Sequence, residues 1–514
     1  MKSFKNIFIA AILSLIIYSC SKEVVSDHLK YQALNPSKID SGAGKWKTIL
    51  LTKPDEFAVA TPLAISSADY KLELLEIKSW QEDISKQEQA IMDYWSAGVV
   101  LRWNEIMREL VAKYNLPPYQ NSDGTYPIPN AGNPLAYPFF PFANPPYAAR
   151  AYAYLSTSQY DALVAAYHYK ALYKRPRPSV NDPSIKLLIP ATKDFAYPCE
   201  EAVAAGASAA ILTLMFPGEQ DYIQEKITEC KNYRIIAGAN TRSEVEAGED
   251  LGKTVASKFI GRARTDHAGK AVGTPTDWAN LVASAVNRGE TPWISQESPA
   301  RPPMLPLFGK TMGFLLDTTE VVQGRPAPPP STNSDAFKKE LEEVLFYSQN
   351  PTRERMKIVH FWSDGVATYT PPGHWNAIAC DDFVSLNYSE VKWARNLALL
   401  NMSMFDAAIC CWDAKYYYYN PRPSQMHSDC KTLTGLPNFP AYTSGHSTFS
   451  GAAATILAHI NPNQASEYKN MANEASISRL YGALHYRSDI EVGMTMGNAI
   501  GQKAIDRARI DGAE

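Results

Sequence analysis

Along most of the 514-residue chain, apolar residues recur at intervals of three and four within segments longer than ten residues, and alternating runs are scarce. That spacing stripes one side of an α-helix, so the pattern predicts an all-α protein. It breaks down in two places. Midway lies a proline-rich passage that includes PARPPMLPLFGK (Pro299 to Lys310) and GRPAPPP (Gly324 to Pro330). Proline cannot continue a helix, so an extended strap or linker is predicted there. At the start, MKSFKNIFIAAILSLIIYSC carries Lys2 and Lys5 ahead of an apolar run from Ile7 to Ile17. This run is short for a bilayer span and predicts a cleaved export signal; no other segment looks transmembrane.

The helical pattern occurs twice. SQYDALVAAYHYKALYKRPRPS (158–179) matches SMFDAAICCWDAKYYYYNPRPS (403–424) at an offset of 245, with nine of 22 positions identical. The same offset pairs AYPCEEAVAAGASAAIL from Ala196 with AYTSGHSTFSGAAATIL from Ala441, and TRSEVEAG from Thr241 with YRSDIEVG from Tyr486. Upstream, YWSAG at Tyr94 echoes FWSDG at Phe361. Two related antiparallel helical bundles are therefore expected, packed as a pseudo-dimer. The expected divisions are an export signal at 1–20, a first bundle at 21–290, a linker or strap at 291–335 and a second bundle at 336–514.

A composition of 45% hydrophobic and 20% charged residues is that of a globular protein, and a net charge of −3 offers no basic surface for nucleic acid. The sequence IYSC resembles the lipobox of bacterial lipoproteins, which makes Cys20 the lipidated first residue of the mature chain. The expected location is then an exported protein held to a bacterial membrane, the outer membrane first, by its lipid alone and facing the periplasm or cell surface. The other six cysteines, Cys199, Cys230, Cys380, Cys410, Cys411 and Cys430, show no Cys-x-x-Cys spacing, so zinc is not indicated, and their pairing is left open.

Candidate chemistry centres on FPAYTSGHSTFSG (439–451), where Ser444, Gly445 and His446 lead into an alanine-rich helix. A hydroxyl there can simply cap the helix. The same N-terminus, with its free N–H groups and positive dipole end, can also seat a tetrahedral oxyanion, beside which a histidine could move protons. The duplication discriminates between the halves. Lys415, Arg422 and Arg479 align with Lys170, Arg177 and Arg234, so the cations occur in both. Ser444, Gly445, His446, His485 and Asp489 align instead with Cys199, Glu200, Glu201, Asn240 and Glu244. Carboxylates at Glu200 and Glu201 would repel an oxyanion, so any such site belongs to the second half. His485 and Asp489 are four apart, one helical turn, which suits a carboxylate orienting an imidazole. NPRP breaks the helix after Lys415 and lets Arg422 approach from an extended segment.

These residues resemble the vanadium-dependent haloperoxidase and type 2 phosphatidic acid phosphatase superfamily. The resemblance rests on KYYYYNPRP (415–423), TSGH (443–446) and SRLYGALHYRSD (478–489), with Thr443 standing where the superfamily has proline. It leans toward the haloperoxidase branch. FPAYTSGH is similar to the corresponding segment of vanadium chloroperoxidases, Phe439 lies seven residues before His446, Trp412 lies three before Lys415, and FWSDG puts Asp364 where that branch pairs an aspartate with its acid-base histidine.

The resemblance implies a chloroperoxidase-like double bundle with vanadate as cofactor, held by Lys415, Arg422, Arg479, Ser444 and the Gly445 N–H. His485 would bond to vanadium, and His446 would shuttle protons for hydrogen peroxide and halide. Asp489, Trp412 and Phe439 would lie behind the direct contacts. The same residues suit an exported acid phosphatase acting on a phosphate ester through a phosphohistidine at His485. From another class, a non-catalytic surface lipoprotein could keep the scaffold alone.

Overall fold

The computed structural model describes residues 31–116, 121–123, 127, 144–191, 194–298 and 300–513. The export segment and Cys20 lie outside the described residues. The protein is all-α, with no strand among the described residues.

The helices that position the site are α1 (Val99–Tyr114), α2 (Pro145–Tyr173), α3 (Pro178–Asn181), α4 (Glu200–Met215), α5 (Gln220–Ile236) and α6 (Arg242–Ala263) in the first half. In the second half they are α7 (Arg353–Phe361), α8 (Thr370–Val384), α9 (Glu390–Tyr418), α10 (Pro423–Met426), α11 (Gly445–Ile460), α12 (Ala465–Tyr481) and α13 (Arg487–Ala508). Helices α2 to α6 recur as α9 to α13 with both ends displaced by 245 residues, so the repeat in the sequence is a repeat in space. The local signals recur too. Asn144 and Ser389 cap α2 and α9 through their side chains, and both helices stop at a residue with positive φ, Lys174 at 49° and Tyr419 at 57°. The Pro-Arg-Pro that follows each cannot extend the helix.

The two 29-residue helices α2 and α9 pack against each other at the centre of the molecule. Helix α9, with the turn after it, is long and apolar enough to cross a membrane, but its most apolar window is 94% buried inside the protein, as befits a core helix. The six described cysteines are buried free thiols.

The proline-rich passage has a counterpart that the sequence comparison did not show. Residues 43–51 and 308–316 each contain a short 3-10 turn, Ala43–Lys45 and Phe308–Lys310, and then meet a buried aspartate of the central helix. Asp161 accepts from the backbone N–H groups of Ile49, Leu50 and Leu51 at 2.6–2.9 Å, and Asp406 accepts from those of Phe314, Leu315 and Leu316 at 2.7–2.8 Å. Each strap then crosses to the other repeat. Arg507 donates to the carbonyls of Lys47 and Thr48, and Arg262 to those of Met312 and Gly313. The straps thus satisfy their backbone groups on buried aspartates and half-buried arginines in place of a sheet or helix ladder.

Candidate active site

Close helix packing builds the site. A Cβ on Gly493 of α13 would lie 2.9 Å from the Ser444 carbonyl oxygen, so only glycine lets α13 approach the start of α11 this closely. The approach lets the Ser444 N–H donate to the Asp489 carbonyl at 2.9 Å. Ser444 is the N-cap of α11, its hydroxyl accepting from the Ser447 N–H at 3.3 Å, and Gly445 is the first helical residue. The cap reading is therefore correct as far as it goes. In front of Gly445, a Cβ would meet nothing nearer than Phe449 at 3.8 Å and Trp412 at 3.9 Å, so the backbone there faces room for another group. The Tyr442–Thr443 peptide just before is cis, as is Tyr197–Pro198 in the first repeat.

Three cations converge on this helix start. Lys415, in the last turn of α9, is fully buried and donates to the carbonyls of Pro440 and Ala441 at 2.8 and 2.9 Å. Arg422, fully buried at the extended N-cap of α10, donates through Nε to Phe439 O and through Nη1 to Leu484 O and His485 Nε2. Its Nη2 has no hydrogen-bond partner. Arg479, near the end of α12, is 2% exposed and donates to Ser478 Oγ and Val359 O. None of the three ion-pairs with a carboxylate among the described residues. Burial pushes Lys415 down to about 7 and both arginines down to about 10, which is what charge without a partner costs in a dry interior.

The first repeat shows the contrast. Lys170 pairs with Asp194 at 3.0 Å and Glu200 at 2.5 Å, Arg177 with Glu200 at 3.8 Å and Arg234 with Glu201 at 2.7 Å. Arg177, Asp194, Glu200, Glu201 and Arg234 line a cavity of about 50 Å³ whose charges are already matched within the protein. Sequence reasoning found Glu200 and Glu201 but missed Asp194. At the offset of 245 it aligns with Phe439, a signal that was available. In the second repeat the Phe439 ring sits 5.0 Å from Lys415 Nζ and 5.1 Å from the Arg422 guanidinium and packs on Trp412 at 5.1 Å. An aromatic wall thus replaces a carboxylate and leaves the cations unneutralised.

His485 does not share a helical turn with Asp489, as the spacing suggested. It lies in the loop before α13, and Asp489 is the third residue of that helix. The contact forms nonetheless, because Asp489 Oδ2 reaches back to cap the helix, accepting from the Tyr486 N–H at 3.0 Å and from His485 Nδ1 at 2.9 Å. A guanidinium only donates, so His485 Nε2 must carry the lone pair that Arg422 meets at 3.0 Å, and Nδ1 carries the proton. Burial, then Arg422, Lys415 and Arg479, hold His485 well below the usual imidazole range. Burial raises Asp489 to about 7, and its Oδ1 is unpartnered.

His446 follows Gly445 in the first turn of α11, and its side chain is 18% exposed. Burial and then Arg479 lower its pKa well below the usual range, opposed by the nearby backbone of Trp362 and Ser363. Asp364 is not hydrogen-bonded to it. Asp364 Oδ2 lies 3.9 Å from His446 Nε2, and neither atom has a hydrogen-bond partner. The other oxygen, Oδ1, is held by His374 Nδ1 at 3.0 Å, a residue sequence reasoning did not single out.

Residues 396–505 match the PAP2 superfamily. A non-specific acid phosphatase of Salmonella typhi is 32% identical over 88 residues, which are 16% of this chain and 35% of that protein, so the match spans about a third of the relative's length. Among solved structures, a bacterial vanadium-dependent iodoperoxidase superposes with a TM-score of 0.59 at 23% identity, over 79% of this chain and 95% of that one. The apo form of a bacterial vanadium-dependent chloroperoxidase gives 0.49 at 12% identity, over 70% and 92%. Lys415, Arg422, Ser444, Gly445, His446, Arg479, His485 and Asp489 thus all fall within residues 396–505, the segment of this all-α chain that matches the PAP2 superfamily.

Proposed function

We propose that the second repeat binds a tetrahedral oxyanion and that the protein is a vanadium-dependent haloperoxidase. The observation that carries the oxyanion reading is the set of three buried cations, without a carboxylate partner among the described residues, around an open helix N-terminus. Cations that meet only uncharged acceptors, with Arg422 Nη2 left without a partner among the described residues, fit vanadate chemically. Lys415, Arg422 and Arg479 would hold it, together with the Ser444 hydroxyl and the Gly445 N–H. His485 presents an unprotonated Nε2, the form a metal ligand requires, and Asp489 fixes that tautomer. His446 holds or releases a proton at Nε2, facing Asp364. Bound vanadate supplies activation of hydrogen peroxide for oxygen transfer to halide. Trp412 and Phe439 keep water from the cations and strengthen their field. The haloperoxidase reading is preferred because the likeness to the iodoperoxidase extends over both repeats, whereas the phosphatase match is confined to 88 residues.

That match supports a second reading, in which His485 Nε2 attacks a phosphate ester and His446 protonates the leaving group. One experiment separates the two: the purified chain is loaded with vanadate, and peroxide-dependent oxidation of iodide, bromide and chloride is assayed beside p-nitrophenyl phosphate hydrolysis. Vanadate-dependent halide oxidation is expected; hydrolysis alone would transfer the assignment to a phosphatase.

In this reading the mature chain is exported and anchored to a membrane by a lipid on Cys20. Cys20→Ala is expected to move the protein from the membrane fraction to the soluble fraction; unchanged membrane retention would refute the anchor.

A further inference from the structure

The two repeats share more scaffold before their central helices than the offset of 245 reveals. RWNEI (102–106) on α1 and HWNAI (374–378) on α8 are equivalent, and Asn104 and Asn376 hydrogen-bond to each other at 2.8 Å. Trp95 and Trp103 lie 5.7 Å apart in the first repeat, and Trp362 and Trp375 lie 5.9 Å apart in the second. Against this shared background, two positions change together. Ala97 stands where the second repeat has Asp364, and Arg102 stands where it has His374. Arg102 turns instead to Glu105 and the Tyr94 carbonyl, each at 2.7 Å. The Asp–His couple is therefore absent from the repeat whose own carboxylates fill its cation cluster, although the tryptophan and asparagine frame persists there.

His374 is 8% exposed, its ring stacked on Trp362 at 4.6 Å, with Nδ1 3.0 Å from Asp364 Oδ1. Asp364 Oδ2 and His446 Nε2, 3.9 Å apart, are both buried without a hydrogen-bond partner. We propose that His374 is a positioning residue: its Nδ1–H holds one oxygen of Asp364 so that the other stays turned toward His446 Nε2, the atom that exchanges protons. A carboxylate fixed on one side by a donor loses little freedom when it meets the protonated imidazole on the other. This rests on the oxyanion chemistry proposed above.

The test separates the donor of His374 from its ring. His374→Phe keeps stacking on Trp362 and removes the donor; His374→Asn keeps a donor near the Nδ1 position and removes the stacked ring. With vanadate retention measured by equilibrium dialysis and unchanged, His374→Phe is expected to lower kcat by about tenfold or more, part of the roughly 10²–10⁴-fold that general acid–base groups contribute. His374→Asn is expected to restore most of that loss, and His374→Phe is expected to add nothing in an Asp364→Ala background. Full turnover in His374→Phe, or no rescue by His374→Asn, would overturn the proposal. ¹⁵N-imidazole NMR of the full chain gives a readout independent of activity. His374→Phe is expected to shift the His446 signal, with His374→Asn leaving it near the wild-type position, and an unmoved His446 signal in His374→Phe would overturn the proposal. A wild-type chain lacking both halide oxidation and phosphate hydrolysis would refute the proposed function and leave the placement of His374 to be judged by the NMR result.

Discussion

His485→Ala is expected to lose tight vanadate retention, by about a hundredfold or more, together with halide oxidation and phosphate hydrolysis. The reason lies in its two nitrogens. Nδ1 donates to Asp489, and Nε2 keeps its lone pair because burial, and then three neighbouring cations, disfavour protonation. Alanine removes the nitrogen that both the metal-ligand and the nucleophile readings require. His446→Ala is expected to give the complementary result, with vanadate still retained and kcat reduced by about 10²–10⁴-fold, because in the proposed reading His446 supplies a proton and makes no bond to the oxyanion. Equilibrium dialysis with vanadate on both variants, followed by the two assays, checks the pair. Undiminished vanadate binding by His485→Ala would contradict its role as ligand.

Arg234→Ala and Arg479→Ala, equivalent residues in the two repeats, are expected to fail in opposite ways. Arg234 is ion-paired with Glu201 at 2.7 Å inside the first repeat. Removing it leaves a buried carboxylate without its partner, at a cost of about 3–5 kcal/mol, while turnover is retained. Arg479 pairs with no carboxylate among the described residues, and its pKa is lowered to about 10, chiefly by burial. Its removal relieves an uncompensated buried charge and costs little stability, while turnover falls by about a hundredfold or more. Thermal denaturation and steady-state kinetics on the two variants separate these outcomes. Equal loss of turnover in both would mean that the first repeat takes part in the chemistry.

Much of the proposed site is legible in the chain because the oxyanion seat proposed here calls for particular residue types. Buried lysine and arginine demand anions, and a Ser-Gly helix start offers N–H groups. The internal repeat then shows which copy supplies the anion from its own side chains and which does not. Asp194 was overlooked because it aligns with Phe439, a replacement of charge by ring that looks like ordinary core drift until Lys170 is seen paired with it.

The sequence by itself determined the all-α class, the repeat at 245, the helix ends set by Pro-Arg-Pro and the confinement of the cation-histidine set to the second half. These follow from local periodicity, backbone chemistry and residue identity, which are written in order along the chain. Only the tertiary structure decided that His485 meets Asp489 across a helix start rather than along a helix face, and that Asp364 is held by His374. It alone also showed that each strap, at 43–51 and 308–316, crosses to the opposite repeat. Those contacts join groups on different elements, and their partners are chosen by how closely helices pack and where the loops between them lead. Spacing in the chain does not encode either.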